Sequence, residues 1–159
     1  MKKILFTFVM LLVGMTSFAQ QGATWVGLNV NYGMHSDYKN FGLGAKVQYE
    51  FVDNWRAEVA GNYFFEKDNV SMWDANLNLH YLIHAGSLTI YPLAGFTLLG
   101  TSVDLGPLGS HSDSDFGFNV GAGIEFPISS GIKLNIEGKY QYVNDWDRPV
   151  ISAGLAFAL

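Results

Sequence analysis

At 159 residues the chain has room for one domain, and 49% hydrophobic with only 14% charged residues is an unusual balance for a protein bathed in water on every side. The formal charge of -5 argues against nucleic acid as a partner, and the absence of cysteine excludes both a disulfide framework and a lipid-modified cysteine anchor. So few charges among so many aliphatic and aromatic residues also argue against disorder.

Met1-Lys2-Lys3, the apolar run Ile4 to Val13, and the small residues Ser17 and Ala19 form a secretory signal pattern, with cleavage expected before Gln20. The run is too short to span a bilayer as a helix. The expected division is therefore a signal peptide over residues 1–19 and a single mature domain over residues 20–159. Loss of Lys2 and Lys3 would leave seven basic residues against fourteen acidic ones, a formal charge of -7.

From Thr24 onward, eight segments alternate between apolar and polar with period two, the periodicity of a strand with two unlike faces. In the first, Val26, Leu28, Val30 and Tyr32 oppose Gly27, Asn29, Asn31 and Gly33. The second sets Phe41, Leu43, Ala45, Val47, Tyr49 and Phe51 against Gly42, Gly44, Lys46, Gln48 and Glu50. The third sets Trp55, Ala57, Val59, Gly61, Tyr63 and Phe65 against Arg56, Glu58, Ala60, Asn62 and Phe64, and the fourth sets Trp73, Ala75, Leu77, Leu79, Tyr81 and Ile83 against Asp74, Asn76, Asn78 and His80.

The fifth segment, Leu88 to Leu99, is apolar on both faces and contains Pro92, which has no ladder donor; its register is open and a bulge at Pro92 is a possibility. Alternation returns in the sixth, where Phe116, Phe118, Val120, Ala122, Ile124 and Phe126 oppose Gly117, Asn119, Gly121, Gly123 and Glu125. The seventh opposes Ile132, Leu134, Ile136, Tyr140 and Tyr142 to Lys133, Asn135, Glu137, Lys139 and Gln141, and the eighth opposes Ile151, Ala153, Leu155, Phe157 and Leu159 to Ser152, Gly154, Ala156 and Ala158. Short turns are expected at Val52–Asn54, His84–Ser87 and Pro127–Gly131, facing the periplasm. Longer loops are expected outside, at Met34–Asn40, Glu66–Val70, Gly100–Ser114 and Val143–Arg148.

Alternation alone fits either a membrane barrel with its apolar face outward or a soluble ligand-carrying barrel with that face inward. The aromatics cluster toward segment ends, as interfacial girdles require, and the polar face is rich in Gly and Asn, which suit a narrow interior. The reading is an all-β, eight-stranded, antiparallel up-and-down transmembrane barrel integral to the bacterial outer membrane, with lipid as its solvent and no nucleic-acid partner. Its interior then receives Lys46, Arg56, Lys133 and Lys139 with Glu50, Glu58, Asp74, Glu125, Glu137 and His80. These are expected to pair and plug the lumen, since side chains fill eight strands.

Chemistry elsewhere is sparse, and no enzymatic activity or cofactor is expected. His35, Ser36 and Asp37 lie in the first outer loop and His111, Ser112, Asp113, Ser114 and Asp115 in the third, but neighbours in a loop do not by spacing form a catalytic set. Asp104, His111, Asp113 and Asp115 offer oxygen and nitrogen ligands without the glycine and distal glutamate of a calcium loop, so a solvated acidic loop is expected. His80 is expected to be structural and His84 to lie in a turn. Trp146 is expected to be an exposed loop aromatic.

The ending Gly154-Leu155-Ala156-Phe157-Ala158-Leu159 resembles the C-terminal assembly signal of outer-membrane barrels, with Leu159 where phenylalanine is commoner. With the eight-segment layout and Tyr91-Pro92-Leu93-Ala94-Gly95, the mature chain resembles the small OmpA/OmpX-type barrel superfamily, and its Ala-Gln-Gln cleavage site resembles signal peptides common in Bacteroidetes, a porin-family barrel of that kind. The resemblance implies periplasmic chaperones and insertion by the outer-membrane barrel assembly machinery, through Gly154, Phe157 and Leu159. Functions within that superfamily differ. The expectation is a non-enzymatic barrel with acidic extracellular loops for a structural or surface-interaction role, where an unknown extracellular ligand would bind. A narrow small-solute porin, a lipid-modifying enzyme and a soluble carrier are the alternatives.

Overall fold

The computed structural model describes residues 22–35 and 38–159, so the expected signal segment lies outside the described residues. Nine strands follow in chain order: β1 (Thr24–His35), β2 (Tyr38–Val52), β3 (Trp55–Lys67), β4 (Val70–Tyr81), β5 (Ile83–Ala85), β6 (Leu88–Asp104), β7 (Ser110–Ser129), β8 (Ile132–Val143) and β9 (Arg148–Ala158). Apart from β4 and β5, which do not pair with each other, sequence neighbours pair antiparallel; β9 pairs with β1 and β4 with β6, so the sheet closes on itself. β4 and β5 share one register against β6 and make a single stave, which gives eight staves and no open edge in the wall.

The parity of the sequence decides which way each side chain points. Leu28 is 63% exposed and Leu43 55% on the outer wall, while Asn29, Lys46, Arg56 and Asn135 on the opposite parity are buried. This is the inverse of a soluble protein, and a wall with this much apolar surface is stable only where hydrocarbon contacts it. Aromatic pairs such as Tyr32–Phe41, Trp55–Tyr81 and Phe118–Tyr142 sit on that wall toward the strand ends.

The expected short turns appear as expected, with Asn54 and Gly86 at positive φ of 67° each. The expected long loops, by contrast, are mostly strand. Pairing continues through Gly33↔Asn40 to His35↔Tyr38, and β3 passes to β4 through Asp68 and Asn69, both left-handed (52° and 64°) as a type I′ hairpin turn demands. Residues 100–114 form a hairpin, paired from Gly100↔Ser114 to Asp104↔Ser110 and closed by a 3-10 turn over Gly106–Leu108. Beyond the hydrocarbon, neither face of a strand has to be apolar. The period-two contrast that marks strands in the sequence therefore fades while the strands continue.

The fifth segment also resolves. The β6–β7 ladder runs through Pro92↔Ala122 without a register shift, so Pro92 causes no bulge in its own strand. The interruption falls on the neighbouring stave, between His80↔Leu93 and Ile83↔Ile90, opposite the proline that cannot donate. The Leu82 amide turns instead to the Asn54 carbonyl at 2.7 Å. The segment is apolar on both faces because its inward residues Tyr91, Leu93 and Leu99 belong to apolar clusters inside the barrel.

Candidate functional site

Three layers of side chains cross the lumen. At the end carrying the short turns, Glu125 is held between Arg56 (2.8 Å) and Lys133 (3.2 Å), and the Lys133 ammonium lies 4.1 Å from the centre of the Trp25 ring. The Arg56 guanidinium lies 4.8 Å from the centre of the Tyr91 ring and donates to Nδ1 of His80 at 2.9 and 3.2 Å. His80 stacks on Tyr91 with ring centres 4.6 Å apart, and Leu82, Tyr91 and Leu93 form an apolar cluster beside them. Outside this layer an open mouth of about 330 Å³ is lined by Trp25, Glu50, Glu125 and Lys133 among others; Glu50 is only half-buried there.

The middle layer is made of amides and carboxylates. Glu58 accepts from Gln48 at 2.8 Å and Asn78 at 3.1 Å with Lys46 at 3.6 Å, while Glu137 accepts from the Tyr91 hydroxyl at 2.9 Å. Lys139 is buried at 6% exposure. Asn119 donates to both Asn76 and Asn78, and Asn29, Asn31, Asn62 and Ser152 continue the network across the barrel. Small polar side chains on facing strands meet in this way where Gly44, Gly95 and Gly154 leave them room; a Cβ at Gly44 would collide with the Asn62 side chain.

At the end carrying the hairpin, Asp74 accepts four bonds, from Asn62 and Asn76 at 2.6 Å each, from Gln141 at 3.1 Å and from Arg148 at 3.2 Å. Arg148 also donates to the Gln141 carbonyl oxygen at 2.9 Å and lies 4.2 Å from the centre of the Phe64 ring. Above it Phe64, Met72, Leu99, Val143 and Val150 form a buried apolar cluster. Trp146 packs on that cluster and meets His35 with ring centres 5.3 Å apart, so it is partly buried and not the exposed loop aromatic expected.

Of the expected lumen set, Lys46, Arg56, Glu58, Asp74, His80, Glu125, Lys133, Glu137 and Lys139 are buried, while half-buried Glu50 lines the mouth. Sequence reasoning missed Arg148, which it placed in an outer loop; its parity with Val150 and Ser152 was the available signal. His84 lies in β5, exposed, with Nδ1 3.1 Å from the Thr89 hydroxyl.

The candidate residues of the third outer loop lie along the β6–β7 hairpin. His111, Asp113 and Asp115 alternate with Ser112 and Ser114 along a strand, which puts hydroxyl and imidazole on opposite faces. Ser36 and Asp37 lie outside the described residues. Asp104 Oδ1 is used by the Gly106 amide at 2.8 Å, fixing the hairpin turn. Among the described residues the set of metal-type ligands in reach of one another is Glu58, His80 and Glu137, all buried. It does not fit a metal ion. A guanidinium can only donate, so Nδ1 of His80 accepts from Arg56 and the proton of the neutral ring sits on Nε2, the nitrogen facing the Glu58 carboxylate at 3.7 Å. Lys46 already supplies positive charge there.

The model of the outer membrane protein beta-barrel domain family matches residues 5–157, nearly the whole chain. The chain belongs to the outer-membrane β-barrel family. It is an integral protein of the bacterial outer membrane. Among solved structures, Neisserial surface protein A (18% identity, 87% of this chain and 97% of that one, TM-score 0.71) shares its fold. So do Ail, the attachment invasion locus protein of Yersinia pestis (16%, 87% and 97%, 0.65), and the N-terminal barrel domain of Pseudomonas aeruginosa OprF (15%, 87% and 100%, 0.70). No curated protein sequence matches the chain.

Proposed function

We propose that this outer-membrane barrel is a non-enzymatic membrane anchor with a closed lumen, acting through the acidic elements above its rim. The observation that carries this is the layering of the bore. Two apolar clusters, Leu82–Tyr91–Leu93 and Phe64–Met72–Leu99–Val143–Val150, stand in series with the Lys46–Glu58 and Arg148–Asp74 pairs between them. An ion entering from either mouth would have to shed water against an apolar layer and displace a buried ion pair. The β6–β7 hairpin and the turn holding Asp145 and Asp147 face outside in this reading, following the short-turn, long-loop asymmetry of such barrels. A contact role is also in keeping with the attachment function in the name of Ail.

The C-terminal strand fits a role in assembly. Gly154 pairs with Asn29 and Phe157 with Val26 at the β9–β1 seam, and Phe157 and Leu159 present apolar side chains on the outer wall. Periplasmic chaperones and the barrel assembly machinery are the partners this strand would meet first. Vesicles carrying the protein and diluted into isotonic arabinose should swell no faster than protein-free vesicles. Rapid swelling would overturn the closed lumen in favour of a small-solute porin.

A further inference from the structure

The β6–β7 hairpin rises above its neighbours with unequal protection on its two sides. Along β6 it is covered by β4 as far as Val70↔Val103, and the Asp104 amide reaches the Asn69 carbonyl at 2.9 Å. Along β7 the ladder with β8 stops at Gly117↔Val143, so among the described residues Ser110 to Phe116 pair with no strand on that side. Seven residues of strand, roughly 20 Å at ~3.3 Å each, thus present an unpaired row of backbone groups. The Ser114 amide is taken by its neighbour's Asp113 Oδ1 at 2.9 Å, a side chain standing in for the acceptor a partner strand would bring.

Three of the usual protections of an edge, lysine, proline and a bulge, are lacking here. Ser110 to Phe116 contains neither lysine nor proline, and the β6–β7 register runs unshifted from Thr89↔Glu125 to Asp104↔Ser110. Its charge is all of one sign. Asp113 and Asp115 share one face with His111, Asp104 stands across the hairpin, and residues 100–116 contain no lysine or arginine. A second copy in the same membrane is a poor partner. Two copies related by an axis along the membrane normal would run these strands in the same direction and bring aspartate toward aspartate.

We propose that Ser110–Phe116 is a strand-addition site for an extended segment of another protein carrying basic side chains at alternate positions. The incoming backbone would complete the ladder, and its basic residues would lie on the face of Asp113 and Asp115, two residues apart as the strand period demands. The site rests on the surface-contact reading above, but its test does not depend on whether the lumen is closed.

The test uses the mature protein in lipid nanodiscs and three nine-residue synthetic peptides. One alternates lysine with valine, one alternates glutamate with valine, and the third is the lysine peptide N-methylated at every second amide on each edge. The lysine peptide should bind at least tenfold more tightly than either of the others and should shift the backbone amide resonances of residues 110–116. D113K combined with D115K, on a hairpin outside the barrel wall, should reverse the preference between lysine and glutamate peptides while the folded barrel keeps its gel mobility. Equal binding of the methylated peptide would reduce the site to a charge contact and overturn strand addition. Equal binding of lysine and glutamate peptides, or no binding of the lysine peptide, would overturn the proposal, whatever the swelling assay gives.

Discussion

Replacing Asp74 with alanine should lower the unfolding free energy in phospholipid vesicles by about 3–5 kcal/mol, the range for breaking one side of a buried ion pair. Asp74 is the convergence point of the upper lumen, accepting from Asn62, Asn76, Gln141 and Arg148. Without it Arg148, 1% exposed, keeps its ring contact with Phe64 and its bond to Gln141 but loses its carboxylate. Three side-chain amides lose an acceptor in the same step, and each buried donor left unmatched adds ~1–3 kcal/mol where it cannot find another. The measurement is urea titration followed by tryptophan fluorescence, with the loss of heat-shifted gel mobility as a second probe. D74N combined with R148M should recover most of the loss, because the charge pair disappears together and amide donors still find an oxygen.

Replacing Arg56 with methionine should cost a similar amount, about 3–5 kcal/mol in the same titration. Methionine matches the stem of arginine and fills its space, so the change isolates the guanidinium. That group bridges Glu125, donates to His80 and lies over Tyr91, and its loss leaves Glu125 with Lys133 as its ion-pair partner. Adding E125Q should restore part of the stability by removing the carboxylate left underpaired. If R56M and R56M/E125Q are equally unstable, the arginine acts through its packing on Tyr91 and His80 and not through charge.

How much of this was legible in the sequence follows from what imposes the pattern. Within the hydrocarbon, lipid on one side and a narrow interior on the other force strict alternation, so Leu43 beside Gly44 or Val59 beside Glu58 is enough to fix strand, face and register. Above the hydrocarbon that constraint ends, and the strand portions 100–104 and 110–114 read as a loop. Arg148 was lost for the same reason, since it opens β9 at the rim. The double apolarity of Leu88 to Leu99 looked like an obscured register. It is the signature of a strand that meets lipid with Ile90, Phe96 and Leu98 and packs Tyr91, Leu93 and Leu99 into apolar clusters inside the barrel. Which donor meets which acceptor within the lumen was not readable, because alternation gives the face of a residue and not its neighbours across the barrel. The pairing of Asp74 with Arg148, 74 positions apart, exists only once the wall is closed.

The closed lumen is tested most directly by recording the current across a planar lipid bilayer into which the purified, refolded protein has been inserted at a known density. The layered bore predicts a current indistinguishable from that of protein-free bilayers, with at most rare and brief openings. Stable, reproducible steps scaling with the amount of inserted protein would contradict it and make the charged interior an ion path.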